Sequence, residues 1–550
     1  MIRRCRFERV LAAVRASGVA AELEDLVNHT RTGRPRTLSV EVYLTAAILC
    51  AGTYQSTTQT AIHRLLTCGL ARSLRIRHGL LVDGVPVSID QVRYLLNAIT
   101  SHLTPDGDVP DGGEQRILDQ IVDRIVSATI PDRFATPRAV AMDATAVKSF
   151  ARGKRRTTNA DPATDPDTAV VETGPAADPD ASWGYCTRTQ DNASRRVFGY
   201  HAYTLVGVPG EGQQRDAMPK LTVRLRLRTA NADVVEPGLA LISAAAEAAD
   251  AASTPALKTS ARLCLMADMA WSYKLAERWA IPARALGADL VFDLHPNDRG
   301  ARVFDGVLMV DGYPHCPALP EHLHNITRPE RLKVGDLPAN PTWRQARDHA
   351  RATAALARFK ELIAERDLYA FRRIAGPDPT GKERFQCPAQ AGKVRCANCP
   401  LSEFLDNNHP DVVDPPPADA APVACRQQTT TIPGHVDAKR RQRLRWGTEA
   451  WIGLFCQRTY VEGTYGSMKA STGGNVRRGW CHARRHVKVA LLLACAIAAS
   501  NLALLRTWAA RTGNHELPYC EPDPPDHGFE ELDADGNINP APGPEPPGTA

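Results

Sequence analysis

Between residues 138 and 294 the chain carries a succession of strand and helix signals whose order restricts its fold more than any other feature. Residues 138–147 (RAVAMDATAV), 195–208 (RRVFGYHAYTLVGV) and 221–228 follow one another as strands. In the third, Leu221, Val223, Leu225 and Leu227 alternate with Thr222, Arg224, Arg226 and Arg228, which predicts one buried and one basic face. A helix follows over 234–251, with Asn231 or Asp233 as its cap and Pro237 in its first turn. A short strand (262–267), a helix (271–286) and a last strand (289–294, DLVFDL) complete the run. Three strands, helix, strand, helix, strand describes a mixed α/β sheet and excludes a repeat array. Hydrophobic residues at 43% and charged residues at 23% allow a core of ordinary size.

The flanks read differently. Residues 1–130 are mostly helical. Segments 40–51 and 57–66 are separated by Gly-Thr-Tyr-Gln-Ser, a pattern shared by DNA-binding helix-turn-helix units and by ordinary bundles. Residues 159–182, rich in Asp, Ala, Pro and Thr, are expected to form a flexible loop. Residues 295–440 are dominated by Pro, Arg and loop signals and hold five cysteines. Helical patterns return at 448–471 and 481–508, and a Pro-rich acidic tail follows Gly513. The expected organisation is a helical N-terminal region (1–130), the first part of the core (135–295), an insertion (296–445), C-terminal core helices (446–510) and a disordered tail (511–550).

The net charge of +6 is unevenly spread. After Thr512 there are nine acidic residues and no Lys or Arg, so the body before it carries +15. A cationic body points to a polyanionic partner, nucleic acid first, or to a solvated basic surface. Fourteen cysteines in 550 residues are too sparse for a disulfide scaffold. Residues 1–19 carry charge throughout and do not read as a signal peptide. The apolar run 489–499 has 11 residues, which fits a buried helix better than a membrane span. The expectation is a soluble protein of the reducing cytoplasm.

Three acids stand out. Asp143 lies inside an apolar strand, Asp268 at the carboxyl end of another (LCLMAD), and Glu462 in a late helix (RTYVEGTYGSMK). An acid within an apolar strand is costly unless it is paired or ligates a metal. Open α/β sheets place their sites at the carboxyl ends of strands. Three carboxylates there would offer oxygen ligands to hard divalent cations. Each alone could equally cap a helix or make an ion pair. Arg458, Glu462 and Lys469 are spaced four and seven apart, which puts them on one face of a helix. There they could form plain intrahelical ion pairs, or a metal ligand flanked by phosphate-gripping cations.

The Arg458-x3-Glu462-x6-Lys469 spacing resembles the signature of bacterial insertion-sequence transposases with an RNase H-like DDE catalytic domain. That signature has Tyr three residues before the Arg, where this chain has Phe455, which keeps the ring and lacks the hydroxyl. Asp143 in an MDAT context, Asp268 after an apolar strand, and residues 475–480 (NVRRGW) ahead of a helix ending in Asn501-Leu502 resemble the same family, over roughly residues 30–510. The resemblance implies a DNA transposase that cleaves and joins its element's inverted repeats. Asp143, Asp268 and Glu462 would be catalytic and would hold two Mg²⁺ or Mn²⁺ ions. Arg458, Lys469, Arg477 and Arg478 would contact DNA, and the protein would act on double-stranded ends as a homodimer without any membrane. The rival readings are a non-catalytic DNA-binding repressor derived from a transposase, and a metal-dependent nuclease limited to hydrolysis.

Cys387, Cys396, Cys399 and Cys425, with one CxxC pair among them, suggest a structural zinc site in the insertion, and Cys316 could replace any one of them. Free buried thiols are the alternative. Three basic runs bracket the acids: 439–445 (KRRQRLR), Arg477 to Lys488, and Lys148 to Arg156. Together they suggest a DNA path. Trp343, Trp446 and Trp480 are candidates for stacking on an unpaired base, with core packing as the commoner role.

Overall fold

The computed structural model describes residues 2–521, apart from 30–35, 105–112, 154–176, 186–195, 253–261, 305–306, 379, 407, 471–473 and 478. The helical N-terminal region comprises α1 (Arg4–Ala16), α2 (Val19–His29), α3 (Val40–Tyr54), α4 (Gln59–Arg64), α5 (Arg72–Arg77), α6 (Ile89–Ser101), α7 (Gly113–Ser127) and the short α8 (Asp132–Ala135). A small hairpin of β1 (Leu81–Val82) and β2 (Val85–Pro86) interrupts it. Ser39, Thr58 and Ser88 cap α3, α4 and α6 through their hydroxyls. Helix α3 is apolar all round, and from Val40 to Ala51 only Glu41 is not buried. The first member of the expected helix-turn-helix is therefore a core helix.

The central sheet holds β3 (Ala139–Lys148), β4 (Ser182–Tyr185), β5 (Arg196–Gly207), β6 (Thr222–Thr229), β7 (Leu263–Ala267) and β8 (Ala288–Phe292). Its order is β4-β5-β3-β7-β8, with β6 also pairing β5 on the side away from β3. Strands β3, β5 and β6 are antiparallel neighbours, while β7 and β8 run parallel to β3. Parallel pairing needs a crossover. Helix α9 (Val235–Ala252) connects β6 to β7. The helix expected over 271–286 is instead two pieces, α10 (Met269–Ser272) and α11 (Ala280–Ala285). Trp271 and Trp279 pack against Gly238 of α9, where a Cβ would come within 2.9 Å of either ring. Seating both rings on one glycine outweighs helical continuity between them.

The basic face expected on β6 is not exposed. Arg224, Arg226 and Arg228 are 9%, 3% and 9% accessible and lie beneath α7 and α9. Arg226 donates to Asp123 at 2.9 Å, and Arg228 to Asp119 at 2.8 Å and to Glu236 at 2.8 Å. Alternation in sequence shows that two faces differ, but α7 supplies the acids that let both be buried. Replacing one partner strands a buried charge, so Asp123→Ala is expected to cost about 3–5 kcal/mol. Urea unfolding should show that loss, and Asp123→Leu combined with Arg226→Met should recover much of it.

The insertion is more ordered than its composition suggests. It contains two three-stranded antiparallel sheets, β9 (Ala301–Phe304), β10 (Val307–Val310) and β11 (Tyr313–His315), then β12 (Arg372–Ala375), β13 (Glu383–Gln386) and β14 (Thr429–Ile432). Between them runs the 26-residue helix α12 (Trp343–Leu368), opened by a capping box from Thr342 and Gln345. Only its C-terminal half meets the core, through Phe359 and Ile363. Its first half therefore lacks the apolar periodicity that reveals a helix. The short α13 (Val423–Arg426) precedes β14.

The chain returns to the sheet through α14 (Glu449–Phe455), a 3₁₀ turn (Cys456–Arg458) and α15 (Thr459–Lys469), and ends in α16 (His486–Thr512). Helix α16 is long and apolar enough to cross a membrane, but 83% of its most apolar 18-residue stretch is buried inside the fold. It packs against α3, α7 and β6. Asn501, 1% exposed, accepts from Thr222 N and donates to Thr222 O and Val126 O, tying α16 to β6 and α7. The N-terminal and C-terminal helices thus share one core with the sheet. Order also extends further than the tail boundary at 511 anticipates. Leu517 and Cys520 are buried, and Tyr519 O accepts from Arg506. Residues 522–550, like most of the loop expected at 159–182, lie outside the described residues.

Candidate active site

Strand register brings two of the acids together. Met142 of β3 pairs with Ala267 of β7, so Asp143 and Asp268 are the next residues on adjacent parallel strands. Asp268 stands at the N-cap of α10 without making a side-chain cap bond, so its carboxylate is not consumed by the helix. Glu462 arrives from α15. The single helix expected over 448–471 breaks at the 3₁₀ turn, and this turn carries Arg458 to the acids. Its guanidinium lies 3.9 Å from Asp143 Oδ2, 3.8 Å from Asp268 Oδ1 and 2.9 Å from Glu462 Oε1. Three carboxylates far apart in sequence therefore surround one cation.

Helix α15 is fastened to the sheet beneath them. Tyr465 donates to the carbonyl of Asp143 at 2.6 Å and meets Thr204 Oγ1 at 2.8 Å. Lys469 Nζ donates to Thr145 Oγ1 at 2.5 Å. Thr145 lies two residues beyond Asp143, hence on the same face of β3. Tyr465 was not singled out from sequence, although its place one turn after Glu462 was a signal for it. Phe455, standing where the family signature has Tyr, stacks on Trp451 at 4.7 Å in the core, and Arg458 lies 6.0 Å from its ring centroid. The outer face of α15 is bare. A Cβ at Gly463 or Gly466 would meet nothing within 4 Å, and Glu462 is 52% exposed beside them.

Burial holds the carboxyl of Asp143 up to about 6, opposed by the Ala144 N–H and Arg458, and assisted by the negative charges of Asp268 and Glu462. Arg458 offsets the mutual repulsion of the acids. Their hard oxygen donors suit Mg²⁺ or Mn²⁺ by chemistry. Among the described residues, however, no group of three His, Cys, Asp or Glu side chains stands at the spacing of a formed metal site. With the guanidinium between them, the acids are gathered without being closed.

The other expected contacts separate. Arg477 is exposed and donates to the Lys469 carbonyl at 3.0 Å, while Arg478 lies outside the described residues. In the run 439–445, Lys439 pairs with Asp298, Arg440 with Asp437, Arg441 with Glu383, Arg443 with Glu211 and Arg445 with Asp367. Four of these five acids belong to the insertion itself and Glu211 to the core, so the run mainly staples the insertion together and offers little to a DNA path. Trp446 and Trp480 are core residues, whereas Trp343 is 75% exposed.

Cys316, Cys387, Cys396, Cys399 and Cys425 all line one cavity of about 350 Å³. Burial pushes the Cys316 thiol up to about 12 and Cys425 up to about 11, and raises Cys387 and Cys396 as well. Desolvated thiols gathered around one cavity are what a soft-ligand cation would relieve, although no three of the described ones stand at the spacing of a formed metal site. The four cysteines expected as ligands, and Cys316, thus come from distant segments of the insertion to one cavity. No protein-family model matches this chain, and neither does any curated protein.

Proposed function

We propose that this protein is a DNA transposase that cleaves and rejoins the ends of its own mobile element through Asp143, Asp268 and Glu462, in an RNase H-like domain. The observation that carries this reading is the meeting of the three acids around Arg458 at the end of the β3–β7 pairing. The sheet order β6-β5-β3-β7-β8, with its antiparallel first three members and parallel last two, supports the same reading. The exposed glycine face of α15 leaves room for a bulky polymer beside Glu462.

Two Mg²⁺ or Mn²⁺ ions, when bound, would stabilise the attacking and the leaving oxygens of an in-line displacement. The chain's own residues do the positioning. β3 and β7 fix Asp143 and Asp268 side by side, and Tyr465 and Lys469 hold α15 so that Glu462 faces them. Arg458 neutralises the acids in the free protein and would be placed to take a phosphate oxygen of bound DNA. Water, and then a DNA 3′-OH, would attack phosphorus without a covalent protein intermediate. The substrate is double-stranded DNA carrying inverted repeats, handled by a homodimer. A structural zinc at Cys387, Cys396, Cys399 and Cys425 would brace the insertion.

The test incubates the purified protein with DNA bearing the repeats that flank its gene, in Mg²⁺, Mn²⁺ or EDTA, beside Glu462→Gln. Metal-dependent cutting and joining that disappear in the variant are expected. Binding without cutting would replace this reading with a repressor, and nicking without joining would replace it with a nuclease.

A further inference from the structure

The first half of α12 is the most solvent-exposed cationic feature among the described helices. Residues 343–360 hold Arg344, Arg347, Arg351, Arg358 and Lys360 against a single acid, Asp348. The four arginines are all exposed. At 100° per residue they fall within about 60° of arc, in one stripe about 21 Å long. Arg344 and Arg351 make no ion pair with a described residue. Arg347 and Arg358 make only exposed pairs, with Asp348 at 3.4 Å and Glu361 at 3.3 Å. Such pairs are weak enough for a phosphate to displace. Trp343 opens the same helix, with Arg347 4.7 Å from its ring centroid.

The stripe is linked to the candidate active site. His349 of α12 hydrogen-bonds Gly335 O at 3.0 Å, which holds the preceding segment against the helix. That segment carries Arg331 and Lys333, both exposed. The Cys456 thiol, two residues before Arg458, feels the charges of Lys333, Arg328 and Arg458. Exposed Lys333 thus lies between the neighbourhood of Arg458 and the helix that carries the stripe. The exposed small residues along this half of the helix are mainly alanines, including Ala350, Ala354 and Ala355. They offer too little apolar area to dock a protein through a hydrophobic core.

We infer that the Arg344–Arg347–Arg351–Arg358 stripe of α12, with Arg331 and Lys333, is a backbone track for duplex DNA extending away from the cleaved bond. This rests on the proposed DNA reading and adds where the DNA beyond the site lies. Neutralising a phosphate contributes about 0.9 to the slope of log affinity against log salt. Four arginines should therefore account for about 2–4 of that slope.

The experiment compares the full-length protein with a variant carrying Arg344→Gln, Arg347→Gln, Arg351→Gln and Arg358→Gln, substitutions on exposed positions that should leave the melting temperature unchanged. Binding is measured across a salt series on a duplex that extends well beyond the repeat and on one truncated at its boundary, with cleavage followed in parallel. The variant should lose about 2–4 from the slope, and about tenfold or more in affinity, on the long duplex, with a much smaller change on the truncated one. Equal slopes for variant and wild type on the long duplex would overturn the track while leaving the catalytic reading intact. A stripe-dependent slope in a protein that never cuts would retain the track and overturn the catalytic reading. Failure of the wild type to bind either duplex would overturn both.

Discussion

Asp143→Asn is expected to lower metal-dependent DNA cleavage by about 10³-fold or more, a loss of about 4 kcal/mol in transition-state stabilisation. The same substitution should stabilise the metal-free protein. The two effects have one cause. Asp143 is desolvated inside the sheet, close to two other acids, with Arg458 as its nearby cation. Its folded-state value of about 6 exceeds the ordinary carboxylate value. The folded state therefore binds this proton more tightly than the unfolded chain does, and stability falls as pH rises from about 4 to about 6. Above that window the full cost is present, about 1–3 kcal/mol at 1.36 kcal/mol per unit. An asparagine cannot carry the charge and escapes that cost. Thermal melts of the metal-free proteins at pH 7.5 should place the variant above the wild type, and at pH 4 the difference should vanish. Added Mg²⁺ should raise the wild-type melting temperature more than the variant's. A variant that melts lower at pH 7.5 would show that the carboxylate is not strained, and one that still cuts at wild-type rate would remove Asp143 from the chemistry.

Removing zinc should have the second large effect, on stability. The purified protein is expected to contain one zinc per chain by elemental analysis. Cys387→Ser, Cys396→Ser, Cys399→Ser and Cys425→Ser should each lose it, whereas Cys316→Ser should keep it. Structural zinc sites contribute on the order of 10 kcal/mol to the fold they close. Here the cavity joins the ends of β11 and β13, the 396–399 turn and α13, segments with few apolar residues of their own. A strong chelator should therefore expose the insertion to protease before the sheet. A zinc-free preparation with the same melting temperature as the untreated protein would return these cysteines to ordinary buried thiols.

What could be read from the amino-acid order was local. The five main strands and α9 stand within a residue or two of their expected bounds, because two-residue alternation and apolar runs between turn signals survive in sequence. Asp143 and Asp268 were conspicuous for the same reason, as charges interrupting or ending such runs. Helix α12 escaped notice because half of it lies mostly in solvent, with only the segment held at His349 against it, and such a helix needs no apolar stripe. The helix over 271–286 was overextended because propensity does not register two tryptophans competing for Gly238.

The tertiary structure alone decided which charges are working charges. The β6 arginines and the 439–445 run look, in sequence, like surfaces for a polyanion, yet acids from α7, α9, the core and the insertion neutralise most of them. The α12 arginines, less conspicuous as a run, are among those left in solvent. The site follows the same rule. Spacing could place Arg458 and Glu462 on one helix, but their meeting with Asp143 and Asp268 depends on the parallel register of β3 with β7 and on the 3₁₀ turn at Arg458. The β3–β7 register and the Arg226–Asp123 pairing are set by partners more than a hundred residues away, and local sequence carries no record of a partner that distant.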